Sequence, residues 1–175
     1  ETGSAIAGGS EYDGSENFQL NFNSEKWIDD NSKFKSTIYS RKTVADYDGS
    51  ATDETGYVSD NRMHTIQTEL ERTSKRSENN YIFHYHNYDR QYENSGYLDE
   101  YYSESFVIKG ETKNRFSEKI SFGYGSEYKY DWGSFENRGS YNASTKGHMI
   151  NLGFFGNIGY KFSENSILSI YGRSD

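Results

Sequence analysis

Five carboxylates crowd one short stretch of the chain: Asp46, Asp48, Asp53, Glu54 and Asp60. Glu11 and Asp13 stand ahead of the first predicted strand. Calcium takes several oxygen ligands from a flexible segment. Asp13, Asp48, Asp53 and Asp60 are the residues that could supply them. Their spacing is not that of a helix–loop–helix calcium loop, and the alternative reading is a solvated acidic loop. A second candidate is the pair His84 and His86, two residues apart, which leave the same face of a strand as two metal ligands would. No third ligand is placed beside them, so the alternative is two histidines on a polar face. Gly123-Tyr124-Gly125 is followed by no helix, and a phosphate cradle needs a helix N-terminus. With no Cys and only four His, no nucleophile–base pair emerges, and the chain is expected not to be an enzyme.

The elements that must position these residues are strands. The 175 residues include 17 Tyr, 11 Phe and 17 Gly, yet the apolar total is only 32%. Mean hydropathy is -1.04. A water-soluble domain draws nearly half its residues from the apolar set, and a disordered chain this polar would be poor in aromatics. A transmembrane β-barrel reconciles the two properties. Only alternate residues of its strands meet lipid, and Tyr and Trp collect at the membrane–water interfaces. A net charge of -8 argues against a nucleic-acid partner, which needs a basic surface.

Alternation runs through the chain. Ile120, Phe122, Tyr124, Tyr128, Tyr130 and Trp132 share one face, opposed by Ser121, Gly123, Gly125, Glu127, Lys129 and Asp131. Ile150, Leu152, Phe154, Ile158, Tyr160 and Phe162 form a second such series, and Phe18, Leu20 and Phe22 a third. Tyr81, Phe83 and Tyr85 oppose Ile82, His84 and His86. About eight strands are predicted, near 16–24, 33–46, 61–73, 79–92, 100–111, 117–132, 147–162 and 165–173. Short turns are expected between the strands of each pair, with longer loops over 47–60, 91–99 and 133–146. That asymmetry suits the short periplasmic turns and long extracellular loops of outer-membrane barrels. The predicted fold is all-β: an antiparallel up-and-down transmembrane segment of about eight strands, a fragment of a larger barrel. Glu1-Thr2-Gly3 and Gly172-Arg173-Ser174-Asp175 are both read as truncations.

The stretch from Phe116 to Asp175 resembles the barrel of TonB-dependent receptors. The carrying residues are the run from Lys119 to Tyr130, Gly147-His148 through Phe162, and the run from Ser166 to Asp175 ending Gly172-Arg173-Ser174-Asp175. Within the family the loop order is similar to that of the cobalamin receptor. There, Tyr47-Asp48 and the run from Val58 to Arg62 correspond to calcium-holding segments. The resemblance implies that residues 1–175 are part of such a barrel and that the plug domain is absent. It also implies a bacterial outer-membrane location, a corrinoid or siderophore-like iron chelate as transported nutrient, and TonB as partner through the plug. Two alternatives remain: a small complete outer-membrane barrel, and a secreted β-rich adhesin or carbohydrate-binding protein.

Overall fold

The computed structural model describes residues 14–47, 57–94, 96–139, 142–164 and 166–175. They form one eight-stranded sheet, each strand antiparallel to the next, in the order β1 to β8 without crossovers. The strands are β1 (Ser15–Asp29), β2 (Ser32–Asp46), β3 (Val58–Thr73), β4 (Ser77–Asn94), β5 (Tyr97–Arg115), β6 (Ile120–Arg138), β7 (Ala143–Ser163) and β8 (Ser166–Ser174). No described residue is helical. The expected all-β up-and-down architecture is therefore present. The sheet is open: β1 and β8 are its two edges.

Two of the three predicted long loops are replaced by paired strand. Pairing of β4 with β5 continues out to Asn94↔Tyr97, and that of β6 with β7 to Asn137↔Ala143. The β4–β5 hairpin turns at Gly96, whose φ of 100° lies where a side chain would be strained. Apolar alternation lapses in these segments, although backbone pairing does not require it. At the other end the connections are short, as expected. There the ladders are adjusted by register shifts between Trp27 and Asp29 and between Lys161 and Ser163.

Pairing fixes which side chains share a face. One continuous rung joins Phe22, Ile38, Ile66, Tyr85, Phe106, Tyr130 and Ile150 across seven strands. The rungs beside it add Leu20, Phe34, Leu70, Tyr81, Phe83, Ile108, Tyr128, Leu152 and Phe154 to the same face. The opposite face carries Asn21, Thr37, Gln67, Glu69, Lys109, Glu127, Lys129 and Asn151. Nothing covers the apolar face, and no apolar side chain among the described residues is buried. Phe154 is 57% and Ile158 63% exposed. Burial of such side chains contributes roughly 1.5–3 kcal/mol each, so a sheet that leaves this many uncovered needs an apolar medium or partner.

The apolar band does not run parallel to the rungs. Leu20, central to the band on β1, shares a rung with His148 on β7 through Ser40, His64, Asn87, Glu104 and Trp132. The band on β7 is centred on Phe154, six residues further along. Six residues at about 3.4 Å, against six strand spacings of about 4.8 Å, give a slant of roughly 35°. Strands of a closed transmembrane barrel are tilted by about 35–45°. On β7 the band from Ile150 to Tyr160 is then about 28 Å tall, near the roughly 25 Å of an outer-membrane apolar belt.

Candidate functional site

The polar face is held by cross-strand charge pairs near the short turns. Lys33 lies 3.4 Å from Glu25 and 3.3 Å from Glu71. Lys35 donates to Glu71 at 2.6 Å, and the Asn80 amide donates to Glu69 at 2.7 Å. Further across, Arg173 donates to Glu127 at 2.9 Å. Opposite charges on neighbouring strands offset one another, so this face presents polarity without a strong field. Individual partly exposed pairs contribute about 0–1 kcal/mol.

Tyrosines and a tryptophan gather where the apolar face meets the polar ends of the strands. The hydroxyls of Tyr85 and Tyr102 both donate to Glu104, the former at 3.0 Å. Tyr102 packs edge-on against Trp132 at 5.2 Å, and His148 stacks on Tyr130 at 6.3 Å. Rings with a polar tip suit a boundary where one end is apolar and the other wet. Outward of this line the same face becomes charged: Lys42, Arg62 and Asp89 share one rung.

Beyond that boundary the aromatic residues change sides. On β4, Tyr81, Phe83 and Tyr85 lie on the apolar face, but Tyr88 and Tyr92 lie on the other. On β5, Phe106 gives way to Tyr101, and on β6, Tyr130 gives way to Phe135, again with a change of face. The outer aromatics touch in a line. Tyr57 contacts Tyr47 at 5.6 Å, Tyr47 contacts Tyr92 at 5.7 Å, Tyr92 contacts Tyr101 at 6.3 Å, and Tyr101 contacts Phe135 at 4.7 Å. The Arg90 guanidinium lies 4.0 Å from the Tyr92 ring centre. Its Nε is buried and has no hydrogen-bond acceptor. Beside the line, the Asn137 amide donates to Asp99. Burial, with Asp99 nearby, raises the pKa of the Tyr47 hydroxyl above its ordinary value, so it is a neutral phenol at physiological pH.

Tyr97 and Phe135 fall in the predicted loops 91–99 and 133–146, and Tyr92 lies at the end of the predicted strand 79–92, where it overlaps the first of them. The available signal was a change of parity, from odd to even positions on β4 and from even to odd on β5 and β6. The register of β4 with β5 and of β5 with β6 is continuous across those positions, so such a change means that the aromatic stripe moves to the other face.

The predicted metal residues are distributed differently. Asp13, Asp48 and Asp53 lie outside the described residues. Asp60 is in β3 and not in the loop, opposite Val44 and Gln91. Arg62 donates to it at 2.8 Å, and Lys42 lies 3.7 Å away. The hydrogen bond from Arg62, aided by Lys42, holds the Asp60 carboxyl below the usual carboxylate range. His84 and His86 share the polar face of β4, and His86 Nδ1 pairs with the Thr65 hydroxyl at 3.0 Å. No group of three or more His, Asp or Glu able to hold a metal occurs among the described residues.

No family model, curated protein or solved structure matches this chain.

Proposed function

We propose that this chain is a stretch of wall from a bacterial outer-membrane β-barrel of the TonB-dependent receptor type. In this reading the apolar face meets lipid and the polar face lines the lumen. The short turns lie in the periplasm, and the paired extensions of β4–β5 and β6–β7 stand above the outer leaflet. The slant of the apolar band across the rungs carries the proposal. A sheet that buried this face against a soluble partner has no reason to place the band at the tilt that strands adopt in a membrane barrel. The unpaired edges of β1 and β8 would be costly in lipid. Further strands of the full-length protein are therefore expected beside them, with a plug in the lumen that couples uptake of a bulky nutrient to TonB.

Two measurements test this reading. Full-length protein in outer-membrane vesicles should be protected from external protease over the spans centred on Phe83, Ser126 and Phe154. Cleavage within those spans in intact vesicles would refute a membrane location. Nutrient uptake should vanish in cells lacking a working TonB system, and undiminished uptake would refute the coupled-receptor part.

A further inference from the structure

We infer that the line Tyr57–Tyr47–Tyr92–Tyr101–Phe135 is a binding track for an extended, uncharged oligosaccharide. The inference rests on the barrel reading, which makes this face the inner wall of the extracellular mouth. Three observations carry it. First, the rings leave the apolar face just where the band ends and collect on the polar face, so lipid is not their partner. Second, consecutive centres lie 4.7–6.3 Å apart over neighbouring strands, close to the repeat of one sugar ring along an extended glycan. Tyr101, at the middle of the exposed stretch, is 40% accessible and can offer a ring face to the C–H groups of a pyranose. Third, the track face carries one charge of each sign, Arg90 and Asp99. Arg90 lies over Tyr92, its Nε is out of reach of solvent, and Asp99 is held by Asn137. Consecutive rings from Tyr57 to Tyr101 meet edge to face, and Tyr101 and Phe135 are tilted by 35°, so the track offers ring faces and edges in alternation with neutral phenols, which match a hydroxyl-rich neutral chain. Arg90 and Asp99 are opposite in sign, so a charged iron chelate would meet no net charge there.

Isothermal calorimetry on the full-length protein in detergent tests this, with maltohexaose, cellohexaose and laminarihexaose as probes. At least one should bind, with affinity rising from disaccharide to about pentasaccharide and then levelling as the track fills. Y101A should weaken that binding about tenfold, as loss of a central aromatic contact does, while Y101F should retain most of it. Y171A, on β8 far from the track, should leave it unchanged. Circular dichroism and resistance of the folded band to heating in gels establish that each variant is folded. Millimolar glycan without heat from any probe would overturn the inference. So would binding independent of chain length, binding insensitive to Y101A, or binding of lipopolysaccharide sugar alone. Cyanocobalamin or a ferric tris-catecholate binding more tightly than every glycan would overturn it too. Because folding and vesicle insertion are read separately, loss of the glycan track would leave the barrel reading standing.

Discussion

An arginine scan along two strands separates a tilted membrane band from an apolar face of any other origin. Leu20 on β1 and His148 on β7 share one rung. If the band followed the rungs, arginine would cost the same at both. With a slant of roughly 35°, Leu20 sits near the bilayer midplane and His148 lies about 17 Å above it. That is outside a hydrocarbon belt of roughly 12 Å half-height, whereas Phe154, six residues along β7, returns to the midplane. L20R and F154R should each destabilise the full-length protein by about 2–4 kcal/mol and H148R by about 0–1 kcal/mol. N151R, on the polar face of β7, serves as the control and should cost little. The assay is reversible urea unfolding in phospholipid vesicles, followed by tryptophan fluorescence. Equal costs for L20R and H148R would refute the tilt. A cost for N151R matching that of F154R would refute the assignment of faces.

Three further outcomes are expected. Gly125 faces the Phe155 ring, which a Cβ at that position would approach to 2.5 Å, and also the Gly110 carbonyl. G125A should therefore destabilise by about 1–3 kcal/mol in the same urea assay, and F155L should recover part of the loss. The lowered pKa of Asp60 means that its ionised form is favoured by folding. Its contribution is fully present above the unfolded value near 3.8 and is lost as pH falls through the lower folded value. The wild type should exceed D60N in urea midpoint at pH 6, and the gap should shrink as pH falls below 3.8 and close once it is below the lowered folded value. Persistence of the gap in acid would show that the carboxylate charge is not its source. Finally, G96A should impair closure of the β4–β5 hairpin, because alanine at a φ of 100° is strained. Faster protease cleavage at 94–97 in G96A than in wild type is the expected readout.

The fold was legible where a strand has two different environments. Ile120 to Trp132 and Ile150 to Phe162 alternate between an apolar and a polar face. Pairing confirms the alternation from Ile120 to Tyr160, while the register shift after Lys161 leaves Phe162 outside the regular rungs. Strand ends were less legible. Above the band both faces of β4 and β5 meet polar surroundings, so Gln91, Glu93 and Asp99 looked like loop although their backbones continue the ladder. The candidate site was harder still. Tyr47 and Tyr57 meet only because the ends of β2 and β3 are neighbours, and Tyr101 meets Phe135 only through the β5–β6 register. The acidic residues invited a metal reading because carboxylates cluster visibly in sequence. The cations that hold Asp60, Lys42 and Arg62, are identified as its partners only by the pairing of β2 with β3.

Strict neighbour-to-neighbour pairing also constrains how such a wall can change over time. Each strand depends on the one before it and the one after it, and every connection reverses direction. Removing one strand would leave two neighbours running the same way, with turn residues at the wrong rim. Removing a hairpin would leave every remaining strand with its direction, its apolar side and its polar side intact. The two-strand hairpin is thus the smallest piece that can be gained, lost or exchanged without inverting the rest. The rim segments of β4–β5 and β6–β7, which lie beyond the apolar belt, can lengthen or shorten two residues at a time under still weaker constraint. On the barrel reading proposed above, ligand preference at the mouth can drift in this way while the apolar part of the same strands stays fixed by the thickness of the bilayer.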